Sequence, residues 1–467
     1  MKIPNLLLFV LVCFVASFSG AADKPSFIVI NIDDMGYADI EPFGSKLNRT
    51  PNLSRMASEG CKLTSFYAAP VCSPSRAALM TGCYPKRALP IPHVLFPAND
   101  VGLHPNEITI AELLRAAGYT TGIIGKWHLG DQPEFLPLQQ GFDSFYGLPY
   151  SNDMGPAADG VKSNLGAPIP QNNNANQQPP LVLMRDNRVL QRVLAEDQTK
   201  LVANYTHESI EFIRTHKKKP FFLYLPHSAV HFPLYPGKEF QGKSKNGLIG
   251  DWIEEVDWSV GRVLDTLREL KLDSNTFVLF TTDNGGTPRS VNTPLRGNKG
   301  STWEGGMRVP TIAWWPGKVP AGKTVDAIAG MFDVLPTLVG LGGGHLPTDR
   351  KLDGGDLWPI LSGRSNAKSP HDSFFFYKGL KLEAVRVGKW KLHLQQNMLV
   401  DLEQDIGESN NVADKNADIV ANLKSVADSM RDDLGLDVIG PGCRTLGTVV
   451  QGKPIMSEDG TIRAEFR

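Results

Sequence analysis

The chain has 467 residues, enough to bury a large core and to build two or three domains. Its 48 basic and 49 acidic residues leave a net charge of −1, which excludes a global electrostatic pull toward nucleic acid or a membrane surface. Any preference for anions has to be built locally.

The chain opens Met1-Lys2, runs through apolar residues from Leu6 to Phe18 and reaches small residues at Ser19-Gly20-Ala21-Ala22. That order predicts a secretory signal peptide over 1–22, cleaved near Ala21 or Ala22. The apolar run is shorter than the ~18 residues a membrane span needs, and no later stretch is a better candidate. A secreted or periplasmic protein is expected, lysosomal in a eukaryotic host, with no membrane span. Export permits disulfides, but Cys61, Cys72, Cys83 and Cys443 carry no spacing that selects a pair.

Phe27 to Ile32 is a short, nearly continuous apolar run, the pattern of a strand buried on both faces of a mainly parallel sheet. It ends at Asp33-Asp34. Ligands of open α/β sheets gather beyond the carboxyl ends of strands, so this pair reads as a cation site, with a turn or helix cap as the plainer alternative. In Cys72-Ser73-Pro74-Ser75-Arg76, Ser73 is a good N-cap and Pro74 suits the first helical position. A helix starting there puts Cys72 at the positive end of its dipole, with Arg76 about one turn further on, where an anion is welcome. An inert thiol before an ordinary helix is the alternative.

Thr109-Ile110-Ala111-Glu112 is a capping box that opens a helix to Ala117, with Gly118 as its stop. A strand from Thr120 to Ile124 then delivers Lys126 and His128 just past its end. Gly155 to Pro180, rich in Asn, Gln, Pro and Gly, reads as a long surface loop. A helix over 197–215 leads into a buried strand from Phe221 to Leu225 and then to His227 and His231. Pro226 and Pro233 place these histidines on a loop rather than on one helical face. Apolar residues at Ile253, Val256, Val260, Val263, Leu264 and Leu267 predict a helix over 251–272.

The strand Thr276 to Thr281 ends at Asp283-Asn284-Gly285, and a glycine-rich stretch from Leu295 to Pro310 can bring Lys299 up to an anionic group. Beyond Ser369, short strands at Phe374 to Tyr377, Glu383 to Val387 and Lys389 to Leu394 predict a small antiparallel sheet, followed by a helix over 418–434.

These stretches resemble the type I, formylglycine-dependent sulfatases, and within them the arylsulfatase A-like branch. The resemblance rests on Asp33-Asp34-Met35-Gly36-Tyr37, on Cys72 to Arg76 with Leu79-Met80-Thr81-Gly82, on Gly125 to Gly130, and on Leu148 to Asp153. It continues through His227 to Pro233, Asp283-Asn284-Gly285, Lys299-Gly300 and, in the C-terminal part, Asp401-Leu402-Glu403 to Asn411-Val412-Ala413, and so covers nearly the whole mature chain. Cys83 departs from it, since a basic residue is common there. The resemblance implies an α/β fold of the alkaline phosphatase superfamily, a large mixed, mainly parallel sheet sandwiched by helices. Residues 23–368 would form the catalytic domain and 369–467 a small C-terminal antiparallel-sheet subdomain.

The resemblance further implies that a formylglycine-generating enzyme oxidises Cys72 to an aldehyde. Asp33, Asp34, Asp283 and Asn284, with residue 72, would then hold a metal; hard oxygen donors favour calcium, with magnesium second. Lys126, Lys299 and Arg76 would stabilise charge on the transferring group, and Ser151 would lie near bound sulfate. His231 with Lys299 would protonate the leaving alcohol, and His128 would take a proton to release sulfate. The reaction implied is hydrolysis of a sulfate ester on a sulfated small molecule or glycan. A phosphonate monoester or phosphodiester hydrolase of the same superfamily stays open as the second reading, and a non-catalytic binder of sulfated glycans as the third. These motifs do not encode the oligomeric state.

Overall fold

The computed structural model describes residues 24–169 and 178–467; the expected signal peptide over 1–22 and the middle of the expected 155–180 loop lie outside the described residues. An eleven-stranded sheet organises the chain. Ten of its strands are β1 (Ser26–Ile32), β2 (Cys61–Tyr67), β3 (Thr120–Lys126), β4 (Ser144–Leu148), β5 (Val182–Arg185), β6 (Arg188–Arg192), β7 (Phe221–Pro226), β8 (Thr276–Thr282), β9 (Arg308–Trp314) and β10 (Lys323–Val325). They lie in the order β10-β2-β9-β8-β1-β7-β3-β4-β5-β6, and Ala329–Gly330 pairs with β2 off this path.

The centre of the sheet, β8-β1-β7-β3-β4, is parallel. Antiparallel partners flank it, β9 on one side and β5 on the other. Every residue of β1, β7 and β8 is buried, which is why these strands read as unbroken apolar runs rather than alternating ones.

The helices α1 (Pro51–Glu59), α2 (Cys72–Thr81), α3 (Ile110–Ala116), α4 (Leu201–His216), α5 (Gly247–Glu269) and α6 (Val334–Leu341) cover the sheet in two groups. α1 and α4 pack on α5, and α2 and α3 pack on α6. The predicted apolar stripe of α5 is fully buried from Ile253 to Leu267. The capping box of α3 forms as expected: Thr109 N donates to Glu112 Oε2 at 2.7 Å, and Glu112 N to Thr109 Oγ1 at 3.2 Å.

Three expectations change. Ser73 does not cap α2; the helix already includes Cys72, and Val71 is the N-cap in an extended conformation. Ser73 Oγ instead accepts from Leu95 N at 3.2 Å, and Pro74 is tolerated because the first four helical N–H groups have no partner within the helix. β3 runs on through Lys126, so that lysine is the last residue of the strand. The C-terminal helix α7 (Ala417–Asp428) stops short of Leu434.

The second sheet contains β11 (Ser373–Lys378), β12 (Lys381–Val387), β13 (Trp390–His393) and β14 (Met398–Asp401), antiparallel in that order, the fourth strand unanticipated. α7 packs on this small sheet. Cys61, Cys72, Cys83 and Cys443 carry free thiols. Among the described residues no helix is long and apolar enough to cross a membrane.

Candidate active site

The carboxyl ends of β7, β1 and β8 lie level, because Asn31 is in register with Pro226 and Ile32 with Thr282. Asp33 and Asp34 follow β1, while Asp283 and Asn284 follow β8. Main-chain bonds lock the exit: Asp33 N to Ala229 O at 2.9 Å, Val230 N to Asp33 O at 2.7 Å, and Asp283 N to Ile32 O at 2.9 Å. Asp34 takes a left-handed φ of 64°, uncommon away from glycine, and Asn284 Nδ2 donates to its Oδ1 at 2.8 Å. At Gly125, next to Lys126, a Cβ would lie 1.9 Å from Pro226 O, so only glycine lets β3 approach β7 this closely.

Three carboxylates and three cations interleave on this floor. Lys126 Nζ lies 2.5 Å from Asp33 Oδ2 and donates to Ser151 Oγ at 3.1 Å. Arg76, fully buried, gives Nε and Nη2 to Asp283 Oδ2 at 3.0 and 2.8 Å, Nη2 to Asp33 Oδ2 at 3.3 Å, and Nη1 to Lys126 O at 2.6 Å. Its donors are turned to the protein rather than outward to an anion. Lys299 Nζ lies 2.5 Å from Asp34 Oδ1.

Burial alone would raise the Asp33 carboxyl, but the charges of Lys126, His231, Arg76 and Lys299 hold it well below its usual range. Burial and the neighbouring Asp33 charge push Asp283 up. For Lys299, burial opposes the charge, yet Asp34, with Asp33 and Asp283 nearby, holds its pKa well above normal.

Cys72 is 2% exposed at the first turn of α2, and its Sγ lies 3.4 Å from both Asp33 Oδ1 and Lys299 Nζ. Burial, then the charges of Asp283 and Asp33, push its thiol well above the usual range, so the group is not a thiolate nucleophile. His128 directs Nε2 to Leu95 O at 2.9 Å, which leaves Nδ1 as the acceptor nitrogen, buried and without a partner. Burial, with Lys126 and Arg76 nearby, holds this imidazole neutral. His231 is partly exposed; its Nδ1 meets Phe232 O at 2.6 Å and Ser151 Oγ at 3.5 Å, and its Nε2 lies 3.7 Å from Asp34 Oδ2. His227 is buried away from this group against Ser259 Oγ at 3.2 Å.

The loop bearing Lys299 is anchored by its backbone, Lys299 N to Gly286 O at 3.0 Å and Gly300 N to Pro70 O at 2.8 Å. The small sheet braces it with side chains. Lys391 Nζ, fully buried, donates to Thr302 O at 2.8 Å and Glu304 Oε1 at 2.8 Å, and pairs with Glu408 Oε1 at 2.9 Å. Glu304 N donates to Glu408 Oε2 at 2.7 Å, and His393 Nε2 lies 2.8 Å from Glu408 Oε1. Sequence reasoning missed Glu304, Lys391, His393 and Glu408; no spacing links residues so far apart.

The ligand atoms of Asp33, Asp34, Cys72 and His231 all lie within 4.8 Å of one another. Asp283 Oδ1 and Asn284 Oδ1 are buried with no hydrogen-bond partner. Orphaned hard oxygens beside two further carboxylates fit calcium or magnesium. His231, expected to face the site as the proton donor to the leaving group, lies beside these ligand atoms.

A protein-family model described as Sulfatase matches residues 25–344. The N-acetylgalactosamine-6-sulfatase of Rattus norvegicus is 38% identical over 416 residues, covering 84% of this chain and 76% of that protein. Arylsulfatase A of Homo sapiens is 36% identical over 480 residues, covering 97% of this chain and 89% of its own. Among solved structures, PsFucS1 sulfatase from Pseudoalteromonas sp. superposes with a TM-score of 0.76 at 28% identity, over 87% of this chain and 89% of that one.

Proposed function

The chain belongs to the sulfatase family and is a sulfuric ester hydrolase, and from that premise we propose a secreted enzyme that desulfates a sugar or aryl sulfate ester through a formylglycine at position 72. The observation that supports this reading best is the placement of Cys72 Sγ between Asp33 Oδ1 and Lys299 Nζ, at 3.4 Å from each. A formylglycine-generating enzyme is the partner required. The same reading takes residues 23–368 as the catalytic unit and 369–467 as the subdomain that braces it.

As an aldehyde hydrate, position 72 supplies two hydroxyls, one to attack sulfur and a second to expel sulfate, which a thiol cannot do. Asp33, Asp34, Asp283 and Asn284, with residue 72, are the groups that would hold calcium or magnesium, whose charge offsets that of the sulfate oxygens. With three carboxylates already matched by Arg76, Lys126 and Lys299, a divalent cation turns the site positive overall.

Lys126 and Lys299 present ammonium groups to the transferring sulfuryl group, and Ser151, bonded to Lys126, orients it. His231 with Lys299 protonates the departing alcohol. His128 takes a proton from a hydroxyl at position 72 through its free Nδ1. Arg76 is a positioning residue that holds Asp33 and Asp283 and does not touch substrate.

Co-expression with a formylglycine-generating enzyme, mass spectrometry of the peptide spanning position 72, and turnover of aryl sulfates, phosphate esters and sulfated saccharides test this. Sulfate-ester turnover should scale with the aldehyde fraction and exceed phosphate-ester turnover. A fully converted, metal-loaded enzyme that hydrolyses no sulfate ester sinks the proposal.

A further inference from the structure

The mouth of the site carries cations that the reaction above does not use. The segment around Leu95 is pinned over the start of α2, with Leu95 N donating to Ser73 Oγ at 3.2 Å and Leu95 O taking His128 Nε2 at 2.9 Å. The turn between β11 and β12 packs against this segment so closely that a Cβ on Gly379 would lie 2.4 Å from Pro92 O. Together with Pro92, Phe96 and Lys381, His93 and Lys378 are exposed at this seam. Among the described residues neither makes an ion pair or side-chain hydrogen bond. Partial burial of the ring, then the Lys299 and Lys378 charges, hold the His93 pKa below its usual value, so the ring shares their neighbourhood as a neutral hydrogen-bonding group rather than as a third cation.

Arg289 lies across the opening. Its guanidinium sits 5.2 Å from the centre of the Phe232 ring, on the residue after His231. The next residue, Ser290, donates its hydroxyl to Asp34 O at 3.2 Å. Arg289 is exposed and has no carboxylate partner among the described residues. Asp153, a carboxylate of the same mouth, is turned toward His231 Nδ1 at 3.9 Å and neutralises none of them. In a chain whose net charge is −1, unpaired cations at Lys378, in the neighbourhood of Lys299, and at Arg289, beside the loop of His231, form a local field for anions.

We propose that His93, Lys378 and Arg289 form a recognition rim for a second acidic group, a carboxylate or a further sulfate, on the alcohol part of the substrate. The substrate class is then a polyanionic sulfated glycan rather than a simple monosulfate. This inference rests on the sulfatase reading, and its test separates the two.

Two pairs of synthetic disaccharides serve as probes: a monosulfated disaccharide with and without a uronate carboxylate, and one with and without a second sulfate. The enzyme should favour the doubly charged member of at least one pair by roughly tenfold in kcat/KM at low salt, less as salt screens the rim. The pair that shows the preference identifies the acidic group. Lys378→Ala and Arg289→Ala should each shrink the ratio by about threefold to fivefold, mainly through KM, as expected for partly exposed ion pairs. Lys378→Glu should shrink it further.

Calorimetric binding of the same probes to Cys72→Ala gives the ratio without turnover. A preserved binding preference with no desulfation by the converted enzyme overturns the sulfatase reading alone. Desulfation that ignores the second charge, or a ratio unmoved by any of the three variants, overturns the rim alone.

Discussion

The two walls of the site are held in place by different means. The strand-end wall, with Asp33, Asp34, Lys126, Asp283 and Asn284, owes its geometry to sheet register, and main-chain bonds fix the height at which each chain leaves β1 and β8. The wall bearing Lys299 is a glycine-rich loop with backbone anchors at Lys299, Gly300 and Gly306, kept upright by Lys391, Glu304 and Glu408 from behind. The first wall is preorganised by the fold. The second depends on a buried ionic network contributed largely by the small sheet, and a change there should alter chemistry without disturbing the first.

The largest effect expected lies on the strand-end side. Cys72→Ala should lower multiple turnover by about three orders of magnitude or more, because no hydroxyl remains at that position; full turnover by this variant refutes the nucleophile assignment. Next comes removal of divalent ions, checked by elemental analysis, which should reduce activity to background and lower the melting temperature by roughly 5–10 °C. Intact turnover after verified chelation rules out the metal site.

His231→Ala should reduce turnover of a sugar sulfate by about a hundredfold, and that of an activated aryl sulfate far less, since an acidic phenol needs little protonation. Equal losses on both would make His231 a binding or structural residue.

Lys391→Met addresses the other wall. It removes the lysine shared by Glu304 and Glu408 and leaves Glu304 with Arg308 at 3.2 Å and Glu408 with His393 at 2.8 Å, so stability should fall by about 3 kcal/mol, visible in denaturant unfolding. The decisive readout is the split: kcat should drop by about tenfold through misplacement of Lys299, while the stabilisation given by calcium persists. Loss of calcium stabilisation in this variant would show that the walls are not independent.

Acid gives the most graded comparison, with the smallest effect per step. Burial pushes the His227 pKa down from 6.5 to about 3, so between those values the unfolded state binds the extra proton and stability falls as pH falls. At Glu304 burial opposes ionisation, but Lys391, Arg308 and Arg386 bring its pKa from 4.5 down to about 2, so its contribution is complete above 4.5 and is lost only below it. Thermal melts should therefore show about 1.4 kcal/mol lost per pH unit below 6.5 that His227→Gln removes and Glu304→Gln does not. The opposite pattern would reverse the assignment.

The strand-end wall was the more legible in sequence. Asp33, Lys126 and Asp283 each close an apolar run, and a buried parallel strand needs nothing but such a run to be recognised. The capping box at Thr109 was legible because it is entirely local. Ser73 misled because Leu95 N claimed its hydroxyl across the fold, a tertiary contact that no helix-start rule contains. β9 hides behind Arg308 and Pro310, and β14 has only four residues. The brace of the second wall was illegible for the same reason: Lys391 and Glu304 lie 87 positions apart and meet only once both sheets are in place.

On the formylglycine reading proposed above, the burial of position 72 sets a clock on biosynthesis. Arg76, on the same turn of helix, is tied to Asp283, which lies 207 residues further along the chain. At roughly 5–20 residues per second, a ribosome needs about 10–40 seconds to add that stretch. During that interval the segment from Cys72 to Arg76 lacks the partner that later closes over it, and an oxidising enzyme can hold it extended. Once β8 docks, reaching the thiol means unwinding α2 and stripping Arg76 of its carboxylates. On that reading, molecules that miss the interval would fold with a thiol at position 72, and the proportion of active enzyme would reflect how fast synthesis runs relative to the proposed modifying step.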